Sequence, residues 1–366
     1  MRIGFDAKRA FHNSSGLGNY SRDLIRILSN KWVDDEFVLF NPKEKNKDFG
    51  QNSVNSTQVT PSAAWTKLHA AWRTFRLSEV ISRQNIDVYH GLSNELPVRL
   101  KTPAIVTIHD LIFERFPEWY KPIDRRIYRS KFKRAAEQAD TVVAISEQTK
   151  QDLIDIYGIA HSKIKVVYQG CHNAFKEKGS VNDDLVVSKY NLPEKYILSV
   201  GTIEPRKNLM TVVKAIADLP EVHIAIVGRE TSYANQIRSF ITQNNLSNRV
   251  HFIKGVNMPE LASLYRKARA FVYASQFEGF GIPIIEALFS YTPVITSTGS
   301  CFSEAGGPHS IYLPFDDVSA WRKQIKELWG NDELLESMAL KGHEYAQKFT
   351  DEQLILKWEN IYAPFR

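Results

Sequence analysis

The sequence of 366 residues has few of the features that mark an exported or membrane-spanning protein. Its two cysteines, Cys171 and Cys301, are too few for a disulfide framework or a zinc site. It contains no run of about 18 apolar residues, so no membrane-spanning helix is expected. The first ten residues read as a strand and lack the apolar core of a signal peptide. These absences indicate a protein of the reducing cytoplasm.

The composition is that of a globular protein, but its charge is unevenly distributed. Hydrophobic residues make up 43% of the chain, and the length favours two domains. Residues 1–180 contain 28 Lys and Arg against 20 Asp and Glu, a balance of +8, whereas residues 181–366 contain 19 against 21. The first half should therefore favour an anionic partner.

Short apolar or β-branched runs alternate with helical patterns throughout the chain, which is typical of strand and crossover-helix units in a parallel sheet. We expect two doubly wound α/β domains facing each other across a cleft at the carboxyl ends of their strands. A linker is expected near 176–190, and 51–61 reads as a polar loop. The predicted strands are 2–6, 36–40, 86–90, 104–109, 141–146, 163–168, 196–201, 222–228, 249–253, 270–274, 293–297 and 310–314.

The stretch FEGFGIPIIEAL, residues 277–288, places two acids around a glycine-rich turn. Pro283 sits where a helix can begin, and the N–H groups of a helix N-terminus attract phosphate. Glu278 and Glu286 should therefore bind another part of the same ligand, such as sugar hydroxyls. The alternative for Glu286 is a solvent-facing residue stabilised by the helix dipole.

A second loop, GTIEPRKN at 201–208, follows a predicted strand and precedes a helix. Arg206 and Lys207 together can neutralise a diphosphate, the first through a bidentate fork and the second as a compact charge. Taken alone, the loop could equally be solvated, with Asn208 as a helix cap. The nearby acidic turn favours ligand binding.

Gly16 and Gly18 open the helix that follows the first strand, where small residues let a phosphate approach the backbone. The third glycine of a dinucleotide fingerprint is absent, because Ser21 holds that position, so an ordinary strand-to-helix turn remains the alternative. His109 ends a strand, where it can face a ligand and carry a proton, although a lone histidine is more often structural. His90 has the same placement with weaker support.

A predicted helix at 123–138 carries six cations between Arg125 and Arg134, interleaved with apolar residues. It could lie on anionic lipid or steer a pyrophosphate-bearing acceptor, or it could present a solvated basic face. A second amphipathic stretch, 68–83, is expected to pack in the core.

Together these segments resemble the retaining GT-B glycosyltransferases of family 4, particularly the bacterial mannosyltransferase-like members. The resemblance spans most of the chain, and its motifs occur in the family's order. They are GLGNY at 16–20, HD at 109–110, AISEQTK at 144–150, GTIEPRKN at 201–208, GVNMPELASLY at 255–265 and EGFGIPIIEAL at 278–288.

The resemblance implies the GT-B fold, with a Rossmann-like acceptor-side domain at 1–178 and a nucleotide-sugar-binding domain at 179–349. The last helix, within 350–366, would return to the first domain. It also implies that the donor is held mainly by the second domain and that the transferred group is a hexose.

Each site residue receives a role from the family motif that it matches. Arg206 and Lys207 would hold the diphosphate, with Gly16 and Gly18 approaching it from the other domain. Glu286 would bind the ribose and Val256 would lie by the base. Glu278 and the backbone of Phe280, Gly281 and Ile282 would hold the sugar, which His109 would touch near the reacting carbon. His109, Glu278, Arg206 and Lys207 are therefore the candidate catalytic residues.

No metal and no cofactor is expected, since the sequence lacks the Asp-x-Asp pair that binds a divalent ion in transferases of the other main fold. GDP-mannose is the leading donor hypothesis, and a glycan or lipid-linked intermediate is the expected acceptor. No nucleic-acid partner is expected, and peripheral contact with the cytoplasmic membrane face is a further hypothesis. YQGCHNAF at 168–175 departs from the family's Asn-Gly and Asp pattern, which puts hinge contacts in doubt. A sugar-nucleotide epimerase and a non-transferase nucleotide-binding protein remain alternatives.

Overall fold

The computed structural model describes residues 1–13, 16–43, 55–65, 67–177 and 182–366. The chain forms two units, of which the first contains Met1–Gly170 and Phe349–Arg366 and the second contains Cys171–Lys348. The first segment of the first unit therefore ends at Gly170, eight residues before the predicted end of the first domain at 178. Within the described residues, no helix is long and apolar enough to cross a membrane.

The first unit is built on a seven-stranded parallel sheet in the order β3-β2-β1-β4-β5-β6-β7. Its strands are β1 Arg2–Asp6, β2 Glu36–Phe40, β3 Ser56–Val59, β4 Val88–Gly91, β5 Ala104–Ile108, β6 Thr141–Ala144 and β7 Ile164–Val166. Its helices are α1 Lys8–His12, α2 Gly16–Lys31, α3 His69–Ala71, a π-helical turn Trp72–Arg76, α4 Leu77–Arg83, α5 Ile112–Arg115, α6 Pro122–Gln138, α7 Glu147–Tyr157 and, after the second unit, α17 Asp351–Tyr362.

The second unit is built on a six-stranded parallel sheet in the order β10-β9-β8-β11-β12-β13. Its strands are β8 Ile197–Val200, β9 Ile224–Val227, β10 Val250–Ile253, β11 Ala270–Tyr273, β12 Val294–Ser297 and β13 Ile311–Leu313. Its helices are α8 Asn173–Lys176, α9 Asp183–Lys189, α10 Leu209–Ala215, α11 Tyr233–Gln243, α12 Met258–Lys267, α13 Ile282–Phe289, α14 Phe302–Gly306, α15 Val318–Trp329 and α16 Asp332–Ala346.

All twelve predicted strands are present, and the fold prediction of two parallel doubly wound sheets is confirmed. The prediction of a polar loop at 51–61 is wrong for Ser56–Val59, which forms the edge strand β3; residues 51–54 lie outside the described part. β3 pairs in parallel with β2, and the Asn41 N–H donates to Val59 O at 2.9 Å. An edge strand needs no apolar pattern when a buried neighbour supplies its backbone partners.

The first sheet is covered on both faces, which explains why its central strands are uniformly apolar. One face packs against α2 and α17 in a cluster that includes Phe5, Leu28 and Trp358. The other face packs against α4, α6 and α7 in a cluster that includes Ile81 and Ala135. The core on both faces is therefore assembled by helices that are distant in sequence.

Helix α17 brings the end of the chain back to the first unit. Asp351 at its start accepts a hydrogen bond from Arg26 of α2 at 2.7 Å, and Trp358 and Tyr362 are buried against the sheet. Helix α17 lies within 350–366, where the returning helix was predicted.

The amphipathic stretch at 68–83 packs as expected through Trp72, Leu77 and Ile81, each at most 2% exposed, whereas Phe75 is 68% exposed. The predicted linker at 176–190 is wrong in its later part, because Asn182 caps α9 and Asp183 forms an ion pair with Arg266 at 2.6 Å. That part belongs to the second unit, and residues 178–181 lie outside the described chain.

Candidate functional site

Three loops of the second unit follow neighbouring strands at the carboxyl edge of its sheet. β8 is followed by Gly201–Asn208, β11 by Ala274–Gly281 and β12 by Thr298–Cys301. Because β11 lies between β8 and β12, the loops meet at one edge, where open α/β sheets bind ligands. The predicted site residues on these loops therefore lie at one edge of the sheet of this unit.

Arg206 and Lys207 converge on Glu278. Both cations lie in a short turn of 3₁₀ helix, Pro205–Lys207, and both ion-pair with Glu278 Oε1, Arg206 at 2.9 Å. Arg206 also donates to Phe277 O at 2.5 Å and contacts Glu204 at 2.8 Å. The structure thus joins two adjacent cations and an acid that lies 71 or 72 positions away in the sequence into one charged cluster.

The neighbours of Glu278 keep its carboxylate ionised. Ser275 Oγ and Tyr273 Oη donate to Glu278 Oε1 at 2.6 and 3.0 Å. Burial alone would raise the pKa of Glu278, but the charges of Lys207 and Arg206 outweigh it and hold the pKa at about 2. The contacts of this side chain with described residues all involve Oε1, which leaves Oε2 for another donor.

The side chain of Lys207 is also fixed by its neighbours. Its Nζ donates to Tyr273 Oη at 2.5 Å and lies 5.0 Å from the centre of that ring. Burial lowers the pKa of Lys207, and the charge of Glu278 partly offsets this. A half-buried ammonium held by one carboxylate is preorganised for a ligand of higher negative charge.

The turn between Glu278 and α13 has the geometry that its glycines predicted. Gly281 has φ 106°, a left-handed conformation that an L side chain rarely adopts. Helix α13 begins at Ile282, and Pro283 occupies its first turn, where the missing N–H costs nothing. The N-terminus of α13 therefore opens beside the charged cluster.

Glu286 lies about one turn inside α13 and is only 7% exposed, so the solvent-facing alternative is wrong. Its Oε2 accepts a hydrogen bond from Tyr265 Oη at 3.1 Å. Burial raises the pKa of Glu286 to about 7, although the hydrogen bond from Tyr265 acts in the opposite direction. A carboxyl group with this pKa changes charge near neutral pH. Within the described residues, it contacts neither Arg206 nor Lys207.

Val256 follows β10 and is half-buried in the loop after Gly255, which has φ 71°. The loop ends at Asn257, whose side chain accepts from the Glu260 N–H while Glu260 returns the bond, so α12 starts with a full capping box. Val256 thus lies two strands beyond β8 on the same edge of the sheet, held by a rigid helix start.

In the first unit, Gly16 and Gly18 serve different purposes. A Cβ atom on Gly18 would lie 1.9 Å from Asn13 O, so this glycine is required for close packing of α2 on its own loop. A Cβ on Gly16 would meet none of the described residues within 4 Å. Gly16 is therefore open to a ligand, whereas the space at Gly18 is taken by the protein.

His109 is buried, with both ring nitrogens engaged. Its Nε2 lies 2.9 Å from Leu92 O, a carbonyl that can only accept, so Nε2 carries the proton. Nδ1 then accepts from Gln169 Nε2 at 3.2 Å. Burial lowers the pKa of His109 to about 4, so the ring is neutral at physiological pH.

His90 has a structural environment in the same unit. Its Nδ1 and Nε2 lie 2.7 Å from Tyr362 Oη and 2.8 Å from Thr107 Oγ1, and the residue is fully buried. His90 therefore has a structural role, which was the alternative to ligand binding.

Several residues of these environments carried no signal in the sequence. Tyr273 was visible only as part of the predicted strand 270–274, and Ser275, Ser300 and Cys301 belong to no motif. Gln169 was visible only as a departure from the family pattern. A side chain that holds another side chain is recognised from contacts rather than from spacing.

The comparisons with known proteins agree with this arrangement. A family model described as "Glycosyltransferase Family 4" matches residues 14–174, and one described as "Glycosyl transferases group 1" matches residues 182–345. The O-antigen chain mannosyltransferase B of Escherichia coli is 25% identical over 380 residues, covering 99% of each protein.

Solved structures share the fold at low sequence identity. Sucrose-phosphate synthase from Thermosynechococcus elongatus aligns with a TM-score of 0.81 at 19% identity, over 100% of this chain and 98% of that one. HepE from Anabaena, solved in complex with UDP-glucose, aligns with a TM-score of 0.76 at 16% identity. The alignment covers 99% of this chain and 100% of HepE. With one family model on each half, a full-length transferase relative and this fold, the chain belongs to the GT-B glycosyltransferases of family 4.

Proposed function

We propose that this glycosyltransferase moves a mannosyl group from GDP-mannose to a hydroxyl of a glycan or lipid-linked acceptor, with retention of anomeric configuration. The observation that carries the proposal is the convergence of Arg206 and Lys207 on Glu278 beside the N-terminus of α13. The similarity to a mannosyltransferase over nearly the whole chain supports the sugar. It also favours transfer over epimerisation.

The diphosphate of the donor is assigned to Arg206 and Lys207. Glu278 pairs with both cations and Glu204 pairs with Arg206, so carboxylates of the same unit hold the two cations in place for a diphosphate. As the bond to the sugar breaks, charge builds on the departing phosphate oxygen. Cations already fixed in a buried site stabilise that charge without reorganisation, which is usually the largest catalytic contribution.

The hydroxyl groups at the two ends of the diphosphate are assigned to the acids. Glu278 Oε2 and the backbone of Phe280, Gly281 and Ile282 take the sugar hydroxyls, and Glu286 takes the ribose hydroxyls. An ionised carboxylate accepts from two neighbouring hydroxyls, as in dinucleotide folds. Val256 is assigned to the base.

Two residues of the first unit are assigned donor roles from the family motifs that they match, Gly16 for the diphosphate and His109 for the sugar. The neutral ring of His109 is suited to hydrogen bonding rather than to carrying a proton, because its pKa of about 4 lies far below neutral pH. Gln169 would have to release Nδ1 for that nitrogen to accept from a sugar hydroxyl. Gly18 is not assigned to the donor, since Asn13 fills the space beside it.

Front-face attack fits the charges of the second unit. Glu278 is bound by two cations and two hydroxyl groups through one oxygen, so it is a poor nucleophile toward the anomeric carbon. The acceptor oxygen instead bonds to that carbon on the face from which the diphosphate departs. The acceptor proton passes to the departing phosphate oxygen.

A panel of nucleotide sugars tests this proposal, first by thermal shift and then by release of nucleoside diphosphate. A true donor stabilises the folded protein by mass action, and GDP-mannose should give the largest shift. NMR of the product should show the donor's anomeric configuration. Tight NAD binding without diphosphate release would overturn the proposal, and conversion of the donor without an acceptor would favour the epimerase alternative.

We further propose that α6 contacts an anionic membrane surface, where a lipid-linked acceptor would be found. Ile123 and Ile127 are 75% and 46% exposed and lie one turn apart, with the exposed Arg126 beside them. Much of the remaining positive charge is internally balanced, since Arg129 pairs with Glu114 and Lys131 with Glu95. Apolar insertion should therefore contribute as much as charge.

Co-sedimentation with vesicles of phosphatidylglycerol and phosphatidylcholine tests this surface. The double substitution Ile123→Ser and Ile127→Ser should abolish binding to phosphatidylglycerol vesicles. Val33→Ser is the matched control, because Val33 is 58% exposed on the same unit and away from α6. Equal sedimentation of all three proteins would overturn the proposal.

A further inference from the structure

The loop after β12 holds the turn that follows β11. Thr298–Cys301 approaches Phe277–Gly281, and two of its residues have left-handed backbone, Gly299 at φ 84° and Ser300 at φ 49°. A serine in this conformation is unfavourable, and such positions persist only where the surroundings impose them. The contacts of Ser300 and Cys301 show what these surroundings are.

Ser300 binds both backbone groups of Glu278. Its hydroxyl accepts from the Glu278 N–H at 3.2 Å and donates to Glu278 O at 2.9 Å. A hydroxyl group can do both at once, and a glycine, which would suit the backbone angle better, can do neither. The hydroxyl therefore explains why a strained serine stands at this position.

Cys301 binds two carbonyl groups of the same turn. Its Sγ lies 3.2 Å from Glu278 O and 3.0 Å from Phe280 O, and the residue is fully buried. Burial raises the pKa of the Cys301 thiol well above its usual value, so the sulfur keeps the proton that it donates. The single S–H hydrogen can be donated to either carbonyl oxygen or shared between them, so one side chain holds two peptide groups of the turn.

Because a peptide group is planar, the contacts of these carbonyl groups also fix where the N–H groups of the next residues point. In a trans peptide the C=O of one residue and the N–H of the next point in opposite directions. Because the carbonyls of Glu278 and Phe280 both point toward Cys301, the N–H groups of Gly279 and Gly281 both point away from it. Neither N–H meets an acceptor in the part of the chain that the structure describes.

We propose that Ser300 and Cys301 are positioning residues that aim the N–H groups of Gly279 and Gly281 at the sugar of a nucleotide-sugar donor. The inference rests on the proposed donor site and extends it to two residues outside its motifs. They touch no reacting atom. They fix the turn so that two donors, and the Glu278 side chain between the cations, meet the sugar hydroxyls without reorganisation.

The proposal predicts that losing the pair weakens binding of the sugar but not of the diphosphate. For Cys301→Ala, we expect the Kd of GDP-mannose to rise about 10-fold, the effect of losing about one good hydrogen bond. The Kd of GDP should change less than about twofold, because Arg206 and Lys207 are untouched. The KM of the donor should rise with its Kd.

Three further variants separate positioning from folding. Cys301→Ser keeps a donor of similar size and should restore most of the sugar affinity. Ser300→Gly removes the hydroxyl while relieving the left-handed strain, so it should fold as well as the wild type and still lose sugar affinity. Ser263→Ala is the matched control, since Ser263 is fully buried and bonds Pro259 O at 3.2 Å in α12, remote from the turn.

Isothermal titration with GDP and GDP-mannose, beside turnover of the wild type, decides between the outcomes. An equal loss of affinity for both ligands, or no loss in folded Cys301→Ala and Ser300→Gly, would overturn the positioning role alone. A wild-type protein that releases no diphosphate from any nucleotide sugar would overturn the proposed function, and the positioning role with it.

Discussion

The two units share one architecture but use the carboxyl edge of the sheet differently. In the first unit, the two histidines at this edge are buried and neutral, with both ring nitrogens engaged by the protein. In the second unit, the same edge gathers the half-buried Arg206 and Lys207 around the buried Glu278. The comparison teaches that position in the fold makes a residue available, whereas its neighbours decide whether it carries charge.

The largest effect should come from the charged cluster. Lys207→Ala should lower kcat by about 100-fold, as expected when one preorganised donor to a developing charge is lost. Lys323→Ala, at an exposed position on α15 in the same unit, is the control and should leave kcat unchanged. Steady-state diphosphate release measures both, and equal kcat values would remove Lys207 from the catalytic residues.

A paired substitution in the first unit separates packing from binding. Gly18→Ala should destabilise the protein by about 3 kcal/mol or more, because its Cβ would overlap Asn13 O. Gly16→Ala, with open space around its Cβ, should leave the unfolding free energy almost unchanged and weaken donor binding. Urea unfolding measures the unfolding free energy of both variants, and ligand titration measures their affinity for the donor. Equal destabilisation of the two variants would contradict the distinction.

Acid should weaken the first unit through its histidines. His109 and His90 have folded pKa values of about 4 and 3 against 6.5 in the unfolded chain, so the unfolded state binds protons first. Their contribution is complete above pH 6.5 and is lost as pH falls toward 4, by about 3 kcal/mol for each ring. His90→Gln should flatten the loss between pH 6.5 and 5 in urea unfolding. An unchanged slope would show that His90 titrates normally.

The opposite sign is expected for Glu286 in the second unit. Its folded pKa of about 7 lies above the unfolded value, so stability falls as pH rises from 4.5 to 7. Glu286→Gln should therefore be more stable than the wild type at pH 8, by about 3 kcal/mol at most. Donor affinity should show the reverse, rising above pH 7 in the wild type and staying flat in the variant.

The fold was largely predictable from the sequence because its signals are local. Apolar strands of three to five residues, separated by helical patterns, identified twelve strands and the parallel architecture. β3 escaped because an edge strand such as Ser56–Val59 has no apolar pattern of its own. The boundary near Gly170 escaped because polar composition does not distinguish a linker from the exposed helix α9.

The candidate site was predictable where chemistry follows a motif and unpredictable where it depends on contacts between distant loops. Spacing pointed to Arg206, Lys207 and Glu278, and the structure brings them together. Nothing in the sequence showed that Gln169 would bind His109, or that Cys301 would bind the Glu278 turn. The roles of these residues in binding and catalysis stay predictions until the variants are measured.

The return of α17 has a consequence for synthesis on the ribosome. The core of the first unit requires Trp358 and Tyr362, which emerge only after all of Cys171–Lys348 has been made. At about 5–20 residues per second, that intervening stretch delays the last helix by roughly 10–35 seconds. The second unit therefore has every residue it needs before the first is complete, so the unit whose synthesis starts earlier is completed later.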